Sequence, residues 1–426
     1  MMNRISFYTF GCRLNQSETA TIEKTFEAKG YKVVDFKDPA DIVVVNTCTV
    51  TENGDADTRR LVNKISRSNP QARIALVGCQ AQMQKENLLT MPSVHWVVGN
   101  ERKMELAAII DEHKTSDQPV VITPTISRKS FTVPIAALSS HHTRANLKIQ
   151  DGCDFFCSFC EIPFARGRAR SRVFDDILKE ANELAKAGRK EIVLTGINIG
   201  TYDFENKTIL DVLDALERIE DLKRIRISSI EPTTIPFEVI KRMGKTKLCR
   251  HLHIPLQSAS NKILKLMKRK YTAEEFSQFI LKAHKTVSEI CIGTDIIVGF
   301  PGETDELFEE TLSFVRDLPI SYFHVFSYSE RTMNKSNQFT DKVPAKTIQK
   351  RSEALRALSS RKRQLFLKSL SGTTQNVLFE AKKNGSWPGW TDNYVRLKIK
   401  SDENLRNKLI PVKIGSAQEL AGQTAW

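Results

Sequence analysis

The stretch that decides the fold reads Lys148-Ile149-Gln150-Asp151-Gly152-Cys153-Asp154-Phe155-Phe156-Cys157-Ser158-Phe159-Cys160. Its three cysteines, Cys153, Cys157 and Cys160, have a C-x3-C-x2-C spacing. Iron–sulfur clusters are held by cysteine thiolates, usually four of them. Three cysteines at this spacing can hold three irons of a four-iron cluster and leave the fourth iron open. The triplet therefore predicts a reactive cluster whose open iron binds a sulfonium such as S-adenosylmethionine.

Zinc binding and simple burial are the alternatives for these cysteines. Structural zinc sites usually combine a C-x2-C pair with a second, distant pair. No second pair is present in the sequence, because Cys249 and Cys291 are isolated. Free cysteines are often small buried hydrophobic residues, but three within eight positions rarely are. The cluster is the favoured interpretation.

Composition indicates a soluble protein of more than one domain, because 426 residues exceed an ordinary single domain. No run approaches the ~18 apolar residues of a membrane span, so no membrane partner is expected. The first residues lack a secretory apolar segment, and eight cysteines without such a signal favour the cytoplasm. The net charge of +14 favours a polyanionic partner, and nucleic acid more than a membrane.

The first region, 1–115, is predicted to be a parallel α/β domain. Continuous apolar strands alternating with helices indicate a parallel sheet covered on both faces. We expect helices near 17–29 and 101–112, and strands at 5–10, 41–46, 73–78 and 94–98.

A second cysteine triplet follows three of these strands. Cys12, Cys48 and Cys79 each come directly after a strand, and the region has no other cysteine. Parallel strands bring their carboxyl ends to one edge of the sheet, where ligands bind. The thiolates are therefore expected to converge on a second metal cluster, with structural coincidence as the alternative.

Residues 116–139 mix Ser, Thr, Pro and Lys without periodicity, and we expect a linker there. Residues 140–370 then repeat a strand–helix unit, which predicts a full or partial barrel, here a partial (β/α)6 barrel. The expected strands are 146–150, 191–196, 224–229, 251–256, 292–298 and 322–327. The triplet at 153–160 follows the first strand, at the end where barrels place active sites.

Polar residues and glycines follow the other barrel strands and suit a small polar ligand. The bland alternative for each is a loop glycine or a helix cap. The candidates for binding a cofactor are Thr195, Gly196, Asn198, Glu231, Gln257, Ser258, Asp295, Gly299 and, for a carboxylate, Arg331.

Basic residues suggest where RNA binds. Arg166, Arg168, Arg170 and Arg172 follow the cysteine loop and suit phosphate contacts, although a solvated charge run is equally compatible with the pattern. A basic helix is expected at 344–370. Residues 371–426 predict a small β-barrel whose Trp390, Tyr394, Arg396 and Lys398 would stack on bases and contact phosphates, unless the aromatic side chains are core.

These motifs resemble the radical S-adenosylmethionine superfamily and, within it, the methylthiotransferases. The resemblance covers about residues 3–415 and includes both cysteine triplets. The strand-end residues match the family's S-adenosylmethionine contacts, except that Ala259 stands where the family usually has glycine. The last region resembles the TRAM RNA-binding domain. The segments 11–19 and 46–51 are most similar to the branch that acts on threonylcarbamoyl-adenosine in tRNA.

The resemblance implies that a methylthio group is added at C2 of that adenosine, 3′ of the anticodon. It implies two four-iron clusters: one on Cys153, Cys157 and Cys160 that cleaves S-adenosylmethionine, and one on Cys12, Cys48 and Cys79 that carries the sulfur. The expected partners are the anticodon stem-loop of tRNA, an electron donor such as flavodoxin or ferredoxin, and a sulfur source. The alternatives are a sister enzyme acting on isopentenyl-adenosine or a ribosomal-protein aspartate, and a non-catalytic, metal-stabilised RNA-binding protein.

Overall fold

The computed structural model describes residues 4–49, 52–116, 118–134, 143–331 and 333–415. In this part of the chain the first region forms a parallel sheet in the order β2-β1-β3-β4-β5-β6. Its strands are β1 Arg4–Thr9, β2 Lys32–Val33, β3 Ile42–Thr47, β4 Arg73–Gly78, β5 Val94–Val98 and β6 Val120–Ile122. Its helices are α1 Arg13–Ala28, α2 Glu52–Ser68, α3 Cys79–Gln84 and α4 Leu106–His113.

Two apolar clusters cover the two faces of this sheet. Val44 and Ala75 pack with α1 and α4 on one face, while Val43, Val45 and Ile74 pack with α2 on the other. This two-sided burial explains why β3 is a continuous apolar run. The expectation of a structureless linker is wrong in one respect, because β6 lies inside 116–139 and pairs with β5. The sequence also has two adjacent histidines, His141 and His142, for which metal binding is not expected, and both lie outside the described residues.

The central region consists of parallel strands separated by helices. One sheet has the order β13-β10-β7 and the next β14-β15-β16, and a bridge between Ser229 and His253 joins them into one arc. The strands are β7 Arg144–Lys148, β10 Glu191–Thr195, β13 Arg224–Ile227, β14 His251–His253, β15 Cys291–Val298 and β16 Tyr322–Ser327. Several are shorter than expected because the chain leaves the ladder early at the polar strand ends.

Helices and short hairpins connect these strands. Their apolar sides, such as Ile177, Val212 and Phe276, form one core with the inner strands. The helices are α5 Ile162–Arg166, α6 Phe174–Lys186, α7 Ile209–Glu217, α8 Phe237–Arg242, α9 Asn261–Leu266, α10 Ala273–Thr286 and α11 Asp305–Asp317. The paired short strands are β8 Gln150–Asp151 with β9 Arg170–Ser171, and β11 Asp203–Phe204 with β12 Lys207–Thr208.

The last region is an antiparallel sheet that follows a long helix. Helix α12 spans Ala345–Ser369, and the sheet has the order β19-β18-β17-β20. The strands are β17 Thr374–Phe379, β18 Trp387–Thr391, β19 Arg396–Ile399 and β20 Leu409–Lys413. Among the described residues, no helix has the length and apolar character needed to cross a membrane.

The antiparallel sheet packs against the amino ends of the barrel strands. Arg224 donates to the carbonyl of Trp390 at 2.9 Å, and Arg226 donates to the carbonyls of Thr391 at 3.0 Å and Asp392 at 2.9 Å. These bonds satisfy both buried guanidinium groups. The turn after β18 therefore closes this end of the barrel.

Candidate active site

The loop with Cys153, Cys157 and Cys160 is held in a fixed shape at the carboxyl end of the first barrel strand. Gly152 has a φ of +71°, and a Cβ there would lie 2.0 Å from the carbonyl oxygen of Arg168, so only glycine fits. Burial raises the pKa of Cys153 to about 11 and that of Cys160 to about 12. Buried thiols this close together become stable thiolates only beside cations, which irons supply.

Arg269 is a cationic side chain that contacts a cysteine of this loop. Its Nη1 donates to Sγ of Cys157 at 3.4 Å, its Nη2 pairs with Glu231, and its Nε donates to Tyr271 at 3.1 Å. The guanidinium is thus fixed by an acid on one side and directed at a cluster sulfur on the other. Glu231, which the sequence analysis placed among the candidates for binding a cofactor, pairs with this arginine.

The cysteines of the second triplet lie at the ends of neighbouring strands of the first sheet. Cys12 directly precedes α1, Cys48 follows β3, and Cys79 begins α3. A Cβ on Gly11 would lie 2.9 Å from Sγ of Cys48, which shows how closely the first two loops approach. Asn100 Nδ2 lies 3.5 Å from Sγ of Cys79 and donates to it.

Neither triplet has the compact geometry of a site for one ion. Among the described residues, the three-ligand group whose donor atoms all lie within 4.8 Å of one another is His253, Asp295 and His324. A tetrahedral zinc would require sulfurs inside such a limit, whereas a four-iron cluster holds its thiolates farther apart. Both triplets therefore fit clusters better than single zinc ions.

A cavity of about 200 Å³ lies beside the cysteine loop. Cys160 lines it directly, and Thr49, which follows Cys48 in the first region, lines it from the other side. The remaining lining residues come from the cysteine loop and the start of α5, from the segment between β14 and α9, and from β15, β16 and the turn after β16: Phe159, Glu161, Ile162, Gln257, Asp295, Ile297, Phe326, Ser327, Tyr328 and Ser329. Residues of both the first region and the barrel therefore enclose the space.

Arg331 does not have a free guanidinium for a ligand carboxylate. It pairs with Asp55 at 2.8 Å and with Glu161 at 3.0 Å, and it donates to Thr49 Oγ1. Asp55 and Thr49 belong to the first region, whereas Glu161 lies in the cysteine loop. Two carboxylates already neutralise the guanidinium of Arg331, so it is not available to a ligand carboxylate. Because the two carboxylates come from different regions, the arginine joins these regions beside the cavity.

The other predicted cofactor residues are distributed unevenly around the barrel end. Gln257 and Asp295 line the cavity. Thr195 donates to the carbonyl of Val193, and Ser258 is buried beside Thr311. A Cβ on Gly299 would meet Ile348 at 2.4 Å, so this glycine is needed for packing against α12.

Gly196 and Asn198 lie in the turn after β10. The amides of Ile197 and Asn198 donate to Gln150 Oε1 at 3.0 and 2.9 Å, so they are occupied by a side chain. Nδ2 of Asn198 and Oγ of Ser228 are buried and have no hydrogen-bond partner among the described residues. Such orphaned polar atoms are uncommon and indicate a missing polar ligand.

Most of the arginines predicted to contact RNA are buried in ion pairs, so that prediction does not fit them. Arg166 pairs with Glu18 and Asp151, each at 3.0 Å. Arg172 pairs with Asp176 at 2.6 Å, and Arg170 pairs with Glu101 at 2.9 Å. Arg168 is different: it is 45% exposed and lies over the ring of Phe156 at 4.4 Å.

The two aromatic residues predicted to stack on RNA are also buried. Trp390 and Tyr394 stack on each other at 4.7 Å, and Tyr394 stacks on His251 inside the barrel end at 4.2 Å. They are core residues of the interface, which was the stated alternative. Arg396 lies over Trp390, whereas Lys398 is exposed.

Sequence reasoning missed Thr49, Glu161, Arg269, His253 and His324. Thr49 and Glu161 could not be found from the sequence, because they join the site only through contacts between segments that are far apart in the chain. The histidines carry a usable signal, since His251 and His253 alternate along one strand and so share a face.

Comparisons with known proteins show which families the chain resembles. The radical SAM superfamily matches residues 147–315, and "Uncharacterized protein family UPF0004" matches residues 4–99. The chain is 38% identical to the threonylcarbamoyladenosine tRNA methylthiotransferase MtaB of Bacillus subtilis (strain 168), covering 97% of this chain and 94% of that one. Identity is 36% to the MtaB of Aquifex aeolicus, with 96% and 100% covered.

A relative with another substrate is slightly more distant. The tRNA-2-methylthio-N(6)-dimethylallyladenosine synthase of Finegoldia magna is 33% identical, with 96% of this chain and 91% of that one covered. Among solved structures, the radical S-adenosylmethionine methyltransferase TsrM from Kitasatospora setae superposes with a TM-score of 0.56 over 77% of this chain and 75% of that one. At 16% identity this likeness concerns the fold alone. With both cysteine triplets in place and identities above 30% over whole chains, this protein belongs to the radical S-adenosylmethionine methylthiotransferase family.

Proposed function

We propose that this protein adds a methylthio group at C2 of N6-threonylcarbamoyladenosine in tRNA, next to the anticodon. The observation that carries the proposal is the cavity that Cys160 and Thr49 line together, because an adenosine bound there contacts a cysteine of one triplet and the chain neighbour of Cys48 in the other. The choice among tRNA substrates rests on the greater identity to the MtaB relatives than to the dimethylallyladenosine synthases.

The two triplets have separate roles in this proposal. Cys153, Cys157 and Cys160 would hold the cluster that supplies reductive cleavage of S-adenosylmethionine, and Cys12, Cys48 and Cys79 would hold the cluster that carries sulfur. The chain's own residues support them: Arg269 donates to Cys157, and Asn100 donates to Cys79. Arg331 keeps the two regions together beside the reacting space.

S-adenosylmethionine is proposed to bind across the carboxyl ends of the barrel strands. Gln257 faces the cavity, and the orphaned Nδ2 of Asn198 and Oγ of Ser228 offer polar contacts to its amino-acid part. Glu231 takes part through Arg269 rather than directly. Replacing Asn198 with Ala should weaken S-adenosylmethionine binding, and unchanged affinity in calorimetry would remove this residue from the site.

We propose that the three regions divide the work, with residues 1–115 carrying the sulfur, 140–370 the radical chemistry and 371–426 RNA affinity through a TRAM-like barrel. The exposed lysines Lys382 and Lys398 are suited to phosphates. Charge reversal of both should weaken tRNA binding and flatten its salt dependence by about one unit per lost contact. A cytoplasmic location, an electron donor such as flavodoxin or ferredoxin, and a sulfur source complete the proposal.

The experiment that tests the substrate is methylthiolation in vitro followed by nucleoside mass spectrometry. The reconstituted enzyme is given tRNA bearing threonylcarbamoyl-adenosine or isopentenyl-adenosine under matched conditions. We expect methylthio product on the first tRNA. Preference for the second would favour the sister activity, and absence of S-adenosylmethionine turnover on any tRNA would favour a non-catalytic RNA-binding protein.

A further inference from the structure

The inner wall of the barrel carries a polar group that the proposed chemistry does not use. His253, Asp295 and His324 lie on the adjacent strands β14, β15 and β16, with their ligand-type atoms all within 4.8 Å of one another. Asp295 and His324 are direct partners in the parallel ladder. His253 lies 3.2 Å from Asp295, and the two imidazole rings are 5.6 Å apart.

This group sits on a closed floor and reaches the cavity through Asp295. Below it, Nε2 of His251 is hydrogen-bonded to the hydroxyl of Tyr322 at 3.0 Å, and both rings are buried and stack on Tyr394. Above it, Asp295 forms part of the cavity wall together with Ile297 and Phe326. A ligand in this cavity therefore meets Asp295, and the two imidazoles lie beside that carboxylate.

The hydrogen bonding of the group is incomplete. Nδ1 of His253 is paired with Ser229 Oγ at 3.1 Å, which leaves Nε2 directed toward Asp295. That Nε2 is buried, and among the described residues it has no aligned hydrogen-bond partner despite the short distance to Asp295. His324 is exposed to the open space. An unsatisfied imidazole beside a carboxylate favours a polar ligand over an apolar one.

We infer that His253, Asp295 and His324 bind the threonylcarbamoyl substituent of the substrate adenosine. The inference rests on the proposed function. An adenosine whose C2 faces Cys160 and Thr49 directs its N6 substituent to another part of the wall, where Asp295 lies. The imidazoles can donate to the threonyl carboxylate, and Asp295 can accept from the ureido N–H and the hydroxyl.

The same geometry disfavours an isopentenyl substituent. An apolar group there would bury the Asp295 carboxylate and leave the Nε2 of His253 without an aligned partner, and sites built for hydrogen bonds reject such analogues by up to roughly 10⁴-fold. In this assignment Asp295 serves the substrate, and the sequence-based assignment of this residue to S-adenosylmethionine is replaced.

The test uses the full-length reconstituted enzyme with His324→Phe, which keeps an aromatic ring and removes the donor. His324→Gln keeps an N–H donor and serves as the conservative variant, and His284→Phe on the exposed side of α10 is the matched control. The readouts are kcat/KM on the two modified tRNAs, S-adenosylmethionine cleavage without tRNA, and zinc content by mass spectrometry.

We expect His324→Phe to lower kcat/KM on threonylcarbamoyl tRNA by at least about tenfold, a loss that one hydrogen bond to a charged group accounts for. Cleavage without tRNA should be unchanged, and His324→Gln should recover part of the activity. Equal activity of His324→Phe and His284→Phe would overturn the inference.

Two other outcomes would also overturn it. Loss of cleavage without tRNA in His324→Phe would assign the group to S-adenosylmethionine, and stoichiometric zinc that disappears in this variant would assign it to a metal ion. If the wild-type enzyme prefers isopentenyl tRNA, the proposed function fails and the inference with it. If the wild-type enzyme prefers threonylcarbamoyl tRNA and His324→Phe has the same ratio of kcat/KM values on the two tRNAs as the wild type, the inference alone fails.

Discussion

At the scale of single residues, Arg269 illustrates how the chain can tune a cluster without binding it. Its positive charge and its N–H group face Sγ of Cys157, and its other nitrogen pairs with the buried Glu231. Burial raises the pKa of Glu231, so this carboxylate depends on the arginine to stay ionised. A donor aimed at a cluster sulfur stabilises the more negative, reduced state.

Replacing Arg269 with Gln should therefore lower the reduction potential of the cluster on Cys153, Cys157 and Cys160. We expect a shift of about 60 mV, which is a tenfold change in a one-electron equilibrium. The measurement is a redox titration followed by electron paramagnetic resonance, in a Cys48→Ala background that removes the other signal. Lys270→Gln, at an exposed neighbouring position, is the control. An unchanged potential in Arg269→Gln would show that the contact does not tune the cluster.

At the scale of elements, helix α1 is anchored to the barrel through one buried acid. Glu18 is fully buried, and it accepts from Lys148 at 2.8 Å, from Arg166 at 3.0 Å and from Lys103. Burial alone would raise the pKa of Glu18, but these three cations outweigh burial and hold the pKa well below its usual range. The network connects the loops of both cysteine triplets, since Lys103 also bonds Asn100 at 2.7 Å.

Glu18→Gln should destabilise the protein by about 3–5 kcal/mol, because it leaves three buried cations with too little negative charge. Glu27→Gln on the exposed side of the same helix breaks a surface pair and should cost less than about 1 kcal/mol. Urea unfolding at neutral pH measures both, and similar losses would contradict a special role for Glu18. The contribution of Glu18 is present above its unfolded pKa of about 4.3 and is lost as pH falls through the lower folded value.

Sequence patterns predicted the elements well where burial is two-sided. Strands β3 and β4 were placed within one residue because their apolar runs are continuous. Strand β6 was not predicted, because its three residues lie between prolines and are too few to show an alternating hydrophobic pattern. Only its pairing with β5 makes this segment a strand. The arginines after the cysteine loop were misjudged because Arg166 meets Glu18, a residue 148 positions away, which no local pattern reports.

At the scale of the whole molecule, both cysteine triplets were predictable because each has a local rule, a short spacing or a strand end. The cavity between them was not, since it depends on how the first region docks on the barrel. Arg331, Asp55 and Glu161 fix that docking through ion pairs between the regions. Because Cys160 and Thr49 line the same space, a substrate bound there would not need to move far between the two proposed clusters.

This arrangement predicts two clusters with separable roles. Anaerobic reconstitution of the wild-type protein should give about eight irons per chain, and Cys157→Ala or Cys48→Ala about four each, as two four-iron clusters require. Cys157→Ala should abolish cleavage of S-adenosylmethionine. Cys48→Ala should keep cleavage and lose the methylthio product, because Cys48 belongs to the triplet proposed to carry sulfur and not to the one proposed to cleave S-adenosylmethionine. The measurements are iron and sulfide analysis, 5′-deoxyadenosine release and nucleoside mass spectrometry, with Cys249→Ala as a buried cysteine control outside both triplets. If both triplet variants lose cleavage equally while retaining four irons, the two sites act as one unit, and the division of labour is wrong.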